Sequence, residues 1–214
     1  MRFFIKFSFK GTNYHGWQIQ PNANTVQAEI NNALSTILHI NIDVTGAGRT
    51  DTGVHAKQMF AHFDCDIDFN KQDLIFKLNS FLPSDIVIHD IFRVRDNINC
   101  RFDALSRTYQ YHIIQKKNPF NNNAFLVKKA LNIESMNKAC NYIVGNQDFT
   151  SFSKANTQTF TNNCNVMLAK WETLNNEIVF TIKANRFLRN MVRAIAGTLL
   201  DVGLSKIEPN HVAK

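Results

Sequence analysis

The chain of 214 residues is 44% hydrophobic and 19% charged, long enough for one large domain or two small ones and too apolar to be disordered by composition. No apolar run approaches membrane-spanning length, and Met1–Lys6 lacks the apolar block of a signal peptide, which predicts a soluble, cytoplasmic protein. The net charge of +7 is unevenly spread: residues 1–104 carry 10 Lys and Arg against 11 Asp and Glu, and residues 105–214 carry 14 against 6. Such a skew points to a polyanion over the second half, RNA or DNA, although a solvated basic surface has the same composition.

Taken in chain order, Phe3, Ile5, Phe7 and Phe9 alternate with polar or outward positions and predict a strand over 2–10. Gly11 to Asn24 reads as a polar loop that includes Tyr14, Gly16 and Trp17. Val26, Ile30, Leu34, Ile37 and Leu38 keep helical spacing over 25–39, with Asn24 and Gln27 as a capping pair. Residues 43–48 and 54–63 read as strands on either side of a glycine-rich turn. Asn70 opens a helix to about Phe81 that Pro83 stops, and a strand begins near Ile86.

The second half uses elements of the same type and number. Tyr109, Tyr111 and Ile113 alternate with Thr108, Gln110 and His112 in a strand. A short helix is predicted over 135–144, closed by Gly145. A hairpin over 165–184 turns at Asn175-Asn176, and an amphipathic helix runs from Phe187 to Val202, ending at Gly203. Two α+β domains follow, 1–104 and 105–214, each an antiparallel sheet with helices on one face. The last residues, from Glu208, read as the first turn of a further helix with Pro209 at its N1 position, so the second domain reads as cut short at its C-terminus.

Several familiar motifs fail on inspection. Gly46-Ala47-Gly48 begins like a dinucleotide fingerprint, but Asp51 stands where the third glycine belongs and no helix follows. There is no P-loop. Asp64-Cys65-Asp66-Ile67-Asp68 lacks the glycine and closing glutamate of a calcium loop and reads as a charged strand end. Cys65, Cys100, Cys140 and Cys164 are far apart with no CxxC pair, and His55 and His62 lack metal-ligand spacing, which argues against zinc and disulfides alike.

What remains is one aspartate, an aromatic strand and a basic helix. Asp51 lies in the turn Gly48-Arg49-Thr50-Asp51-Thr52-Gly53, where glycines admit close approach and a nearby guanidinium favours the ionised carboxylate. The same Asp-Thr-Gly is also an ordinary turn in which Asp caps its own backbone. Tyr109 offers a ring for a base to stack on and a hydroxyl that can move a proton; two core tyrosines would show the same pattern. Arg186, Arg189 and Arg193 share one face of the late helix, with Arg193 expected half-buried among Met191, Val192, Ile195 and Ala196 and in need of a carboxylate partner.

Six blocks in order resemble the tRNA pseudouridine synthase A family: residues 11–18 (GTNYHGWQ), 47–56 (AGRTDTGVHA), 101–104 (RFDA), 107–111 (RTYQY), 145–152 (GNQDFTSF) and 184–193 (ANRFLRNMVR). The resemblance spans nearly the whole chain. It implies two related RRM-like or ferredoxin-like α+β halves with a cleft between them, a homodimer, and isomerisation of uridine to pseudouridine in the anticodon stem-loop of tRNA (positions 38–40), with no cofactor and no metal. By motif position, Asp51 is the catalytic aspartate. Tyr109 contacts the target base and accepts a proton at C5, Arg193 pairs with Asp51 across the cleft, and Arg49 contacts RNA or helps extrude the base. The family also continues with a helix and a closing strand past the position that Lys214 occupies.

The chemistry agrees with these residue types. The reaction breaks N1–C1′, turns the uracil and rejoins it through C5 with no change in composition, so neither redox cofactor nor energy donor is called for. An ionised carboxylate near C1′ and C6 can attack or stabilise charge, and the nucleotide must leave its stack to reach it. Whether Asp51 attacks C1′, attacks C6 or removes a ribose proton stays open at this level. A non-catalytic RNA-binding module of paired RRM-like sheets is the alternative, weakened by the missing RNP1 pattern. A metal-dependent nuclease would need carboxylates clustered around Asp51.

Overall fold

Alternating apolar residues build the first sheet. Ile5, Phe7 and Phe9 face one way from strand β1 (Arg2–Phe9) and are buried, while Arg2, Phe4, Lys6 and Ser8 face the other. The computed structural model describes residues 1–119, 123–154 and 160–213, in two compact units, Met1–Ala104 and Leu105–Lys214.

In the first unit β1 is followed by helix α1 (Val26–Leu38), a short β2 (Thr45–Gly46), β3 (Ala56–Asp64), helix α2 (Lys71–Phe81) and β4 (Ile86–Val94). The antiparallel sheet has the order β2-β3-β1-β4. This is the β-α-β-β-α-β connectivity of a ferredoxin-like domain. Its core lies between the Ile5–Phe7–Phe9 face and the apolar stripes of the helices, Val26, Ile30 and Leu34 on α1 and Leu74 and Leu78 on α2. Each such burial contributes about 1.5–3 kcal/mol.

The second unit runs β5 (Arg107–Ile114), β6 (Phe125–Leu126), α3 (Ile133–Cys140), β7 (Gly145–Asp148), β8 (Asn163–Leu174), β9 (Glu177–Ala184) and α4 (Met191–Gly203). The sheet order is β6-β5-β9-β8-β7, with only β5 and β6 parallel among its described pairings. Strands β5, β8 and β9 with helix α3 repeat the arrangement of β1, β2, β3 and α1, and β6 takes the place beside β5 that β4 takes beside β1. The β8–β9 turn puts Asn175 and Asn176 at φ 49° and 65°, as a two-residue hairpin needs. Met136, Ala139, Ile195 and Leu199 pack against Trp171, Phe180 and Ile182. The chain is thus α+β, in two halves of related topology.

Several boundaries differ from the sequence reading, each for a tertiary reason. Thr25, not Asn24, caps α1 by accepting from Ala28 N–H. Gln27 instead turns inward. The strand expected over 43–48 shrinks to two residues because Val44 bonds to α1 side chains: its N–H donates to Asn31 and its carbonyl accepts from Gln27. Helix α3 starts at Ile133 behind an Asn132 cap and ends at Cys140, ahead of the predicted Val144. Helix α4 starts at Met191, four residues late, because Asn190 adopts a left-handed φ of 66°. Residues 209–213 form a 3-10 turn.

Candidate active site

Asp51 lies on the loop between β2 and β3, and that loop is held from below by residues 11–17. Trp17 N–H donates to Thr50 O at 3.3 Å, and Gly53 N–H donates to Tyr14 O at 3.3 Å. Val54 N–H closes a turn onto Asp51 O at 3.2 Å, and Gly11 N–H donates to His55 Nδ1 at 2.8 Å. The Thr50 and Asp51 carbonyls and the Gly53 and Val54 N–H groups are therefore engaged within the protein, and the exposed Asp51 is presented on a braced loop.

The two segments approach so closely that side chains are excluded. A Cβ on Gly11 would collide with Val54 O, and one on Gly16, at φ +90°, would collide with Thr50 O. A Cβ on Gly46 would enter the indole of Trp17. Trp17 is 1% exposed and stacks on Phe7 with ring centroids 5.4 Å apart, which joins the loop to the core of the unit. Tyr14 donates its hydroxyl to Asp85 Oδ1 at 2.5 Å. Burial, and then the hydrogen bond to Asp85, push its phenol up, so Tyr14 anchors the loop as a protonated donor.

Arg49 lies on the same loop, exposed, two residues before Asp51. His55 is a brace for Gly11, its Nδ1 used as an acceptor, which leaves the ring proton on Nε2 in the neutral form. Asp64 and Asp66 are engaged by Arg2 and the N-terminal ammonium, as a charged strand end should be. Among the described residues no three His, Cys, Asp or Glu side chains are grouped as a metal site. Among the described residues no helix is long and apolar enough to cross a membrane.

In the second unit Tyr109 lies on β5 opposite Ile182, and its ring meets Phe187 edge-on at 5.2 Å. Arg107 ties the start of β5 to the loop that follows β9 by donating to Asn185 O at 2.9 Å. Tyr109 and the start of α4, which carries Arg193, therefore come to the same end of this unit. Arg193 is exposed, not half-buried, because Met191, Ile195 and Leu199 take the core face of α4. Arg186 and Arg189 lie on the loop before α4, so the three arginines do not form one helical stripe.

The sequence reading missed a buried polar junction in the first unit. Cys100 donates its thiol to Thr45 O at 2.8 Å and its N–H to His62 Nδ1 at 3.4 Å, and both residues are under 7% exposed. It pins the segment after β4 to the short edge strand that leads into the Asp51 loop. Two residues 38 positions apart carry no spacing signal that would reveal it.

A family model described as tRNA pseudouridine synthase matches residues 6–103 and 139–214. The chain is 48% identical over 207 residues to a tRNA pseudouridine synthase A of Azobacteroides pseudotrichonymphae genomovar. CFP2, covering 96% of this chain and 83% of that one. It is also 48% identical to the protein of that description from Parabacteroides distasonis, over 96% of this chain and 82% of the relative. The similarity to the one from Francisella philomiragia is 38%, over 98% and 83%. With a ferredoxin-like first unit, a second unit of related topology and a match over most of its length, this chain belongs to the tRNA pseudouridine synthase family of isomerases.

Proposed function

We propose that this chain converts uridine to pseudouridine in the anticodon stem-loop of tRNA, with Asp51 as the catalytic carboxylate and Tyr109, Arg49 and Arg193 as substrate-binding groups. It works without metal or cofactor, as a cytoplasmic homodimer. The observation that carries this reading is the bracing of residues 50–54 by residues 11–17, because a carboxylate that must meet one sugar carbon needs a fixed backbone.

The target uridine leaves its stack and is held against an aromatic ring. As the N1–C1′ bond breaks, the Asp51 carboxylate stabilises or captures the electron-poor sugar. The uracil turns, C5 bonds to C1′, the C5 proton passes to a base, and N1 ends protonated. Tyr109 supplies the oxygen nearest that proton in this scheme. Affinity for the tRNA backbone comes largely from residues 105–214, where basic residues exceed acidic ones by eight.

The test is to incubate the protein with unmodified tRNA in EDTA and map pseudouridine by chemical modification and primer extension. Pseudouridine in the anticodon arm is the expected result. Tight tRNA binding with no product would turn the reading toward a binding module, and cleaved tRNA in magnesium but not EDTA would turn it toward a nuclease.

A further inference from the structure

The RFDA block, residues 101–104, has no part in the reaction just described, yet the fold holds it with unusual care. The Asn99 side chain accepts from Arg101 N–H at 2.9 Å and from Phe102 N–H at 3.3 Å. Asp103 in turn accepts from Asn99 N–H at 2.7 Å and donates its own N–H to Asn99 O at 2.9 Å. Between them Cys100 is bonded to Thr45 and His62. This clamp fixes Arg101 at a polar pocket of about 160 Å³, whose lining includes Gln18, Asp43, Thr45, Gly48, Arg49 and Arg101.

Two guanidinium groups and one carboxylate leave the pocket with one net positive charge. Asp43 is already engaged by Asn31 Nδ2 at 2.7 Å. Gln18 is held by the buried Gln27, whose Oε1 accepts from Gln18 Nε2 at 2.8 Å and from Ile19 N–H at 3.0 Å. The donors are thus presented on braced supports. Gly48 adds a separate clue. Its backbone lies outside the left-handed region and a Cβ there would meet nothing within 4 Å, so the protein's own packing gives no reason for a glycine. Gly46, two residues earlier, has such a reason in Trp17. A bare Cα beside two arginines suits a ligand backbone that passes close to the chain.

Resting on the proposed reaction, we infer that this pocket seats an RNA phosphodiester of the strand that carries the target uridine. Arg49 and Arg101 grip the phosphate oxygens, and Gly48 leaves room for them. A phosphate suits the donors better than a base, since guanidinium forks match tetrahedral oxyanions and the lining offers only Trp17 as a large apolar surface. Because Arg49 lies two residues before Asp51, the contact sets the register of the strand against the carboxylate.

The experiment compares the full chain with Gly48→Ala, Arg101→Gln and Arg101→Lys, measuring Kd for unmodified tRNA over a salt series together with KM and kcat. Arg101→Gln is expected to raise Kd and KM about tenfold and to reduce the slope of log K against log salt by about one. Arg101→Lys should restore the slope but only part of the affinity, because it keeps the charge and loses the fork. Gly48→Ala should keep the wild-type melting temperature while weakening tRNA binding. Wild-type Kd and slope in both Gly48→Ala and Arg101→Gln would overturn the assignment, as would a fall in kcat at unchanged KM. A wild-type protein that makes no pseudouridine would overturn the reaction alone, and the Kd series would still decide the pocket.

Discussion

Trp17 and Thr50 are joined main chain to main chain, the Trp17 N–H donating to the Thr50 carbonyl 3.3 Å away, one residue before Asp51. Gly16 makes that approach possible, with φ at +90° and no side chain against the same carbonyl. Gly16→Ala is expected to cost about 1–3 kcal/mol from backbone strain and steric displacement. The melting temperature should fall and turnover should fall further than stability explains, because the loop that presents Asp51 must move. An alanine variant with wild-type melting and wild-type kcat would show that the bracing is dispensable.

Asp51→Asn keeps the shape of the loop and removes the charge. Its backbone carbonyl still accepts from Val54 N–H, so this contact of the turn is kept. Turnover should drop by a factor on the order of 10³ or more, the scale on which a group acting on transition-state charge is felt, with Kd for tRNA nearly unchanged. Single-turnover assays with excess enzyme measure this directly. Equal activity would remove Asp51 from the catalytic role.

Tyr109→Phe separates ring from hydroxyl. The ring packs edge-on against Phe187, a contact that phenylalanine retains, so stability and tRNA binding should hold. Loss of a proton acceptor should slow turnover by about 10²-fold. Full activity would reduce Tyr109 to a stacking surface.

The fold was legible wherever one strand face or one helix stripe met the core. Phe3 to Phe9 declared β1 by alternation, and Asn175-Asn176 declared the β8–β9 turn, because both signals are local. Boundaries failed where distant side chains competed for the backbone. Val44 was lost to the sheet by bonding to Asn31 and Gln27, and Arg186 and Arg189 were lost to α4 by the left-handed Asn190. The Asp51 loop was legible as a motif, but not its support. That Gly11, Gly16 and Trp17 brace residues 50–55 follows only from bringing two loops some 40 positions apart together, as the 44-residue span from Gly11 to His55 shows. Arg101 was readable as part of a block and not as the rim of a pocket, since its position depends on Cys100 reaching Thr45.

His62 gives the first unit a pH dependence of definite sign. Burial pushes its imidazole below the ordinary 6.5, and Arg2 adds to the depression while Asp64 opposes it. The native state therefore prefers the neutral ring, which accepts from Cys100 N–H, and the unfolded chain binds the extra proton. Stability from this site is complete above the unfolded value near 6.5 and is lost as pH falls through the folded one. Asp64, held below its ordinary value chiefly by its hydrogen bond to Arg2, loses its share in a separate and more acidic window. Melting temperature should fall as the pH drops below the ordinary histidine range in the wild type and much less in His62→Gln. A ring titration followed by NMR with a midpoint at or above 6.5 would contradict the burial argument.

The basic excess of the second unit has a local focus. Parallel pairing of β5 with β6 sets Ile114 against Leu126, and Val127 N–H donates to Ile114 O, which brings Lys116 and Lys117 near Lys128 and Lys129. All four are exposed. None lies in the packed core of the unit, so reversing them to glutamate should leave its melting temperature within a few degrees. If these lysines neutralise tRNA phosphates, the quadruple reversal should weaken binding by at least about 10²-fold and lower the salt slope by two or more. The decisive quantity is the slope, because a general loss of fold would reduce the active fraction without changing it. An unchanged slope would move the tRNA footprint away from this end of the sheet.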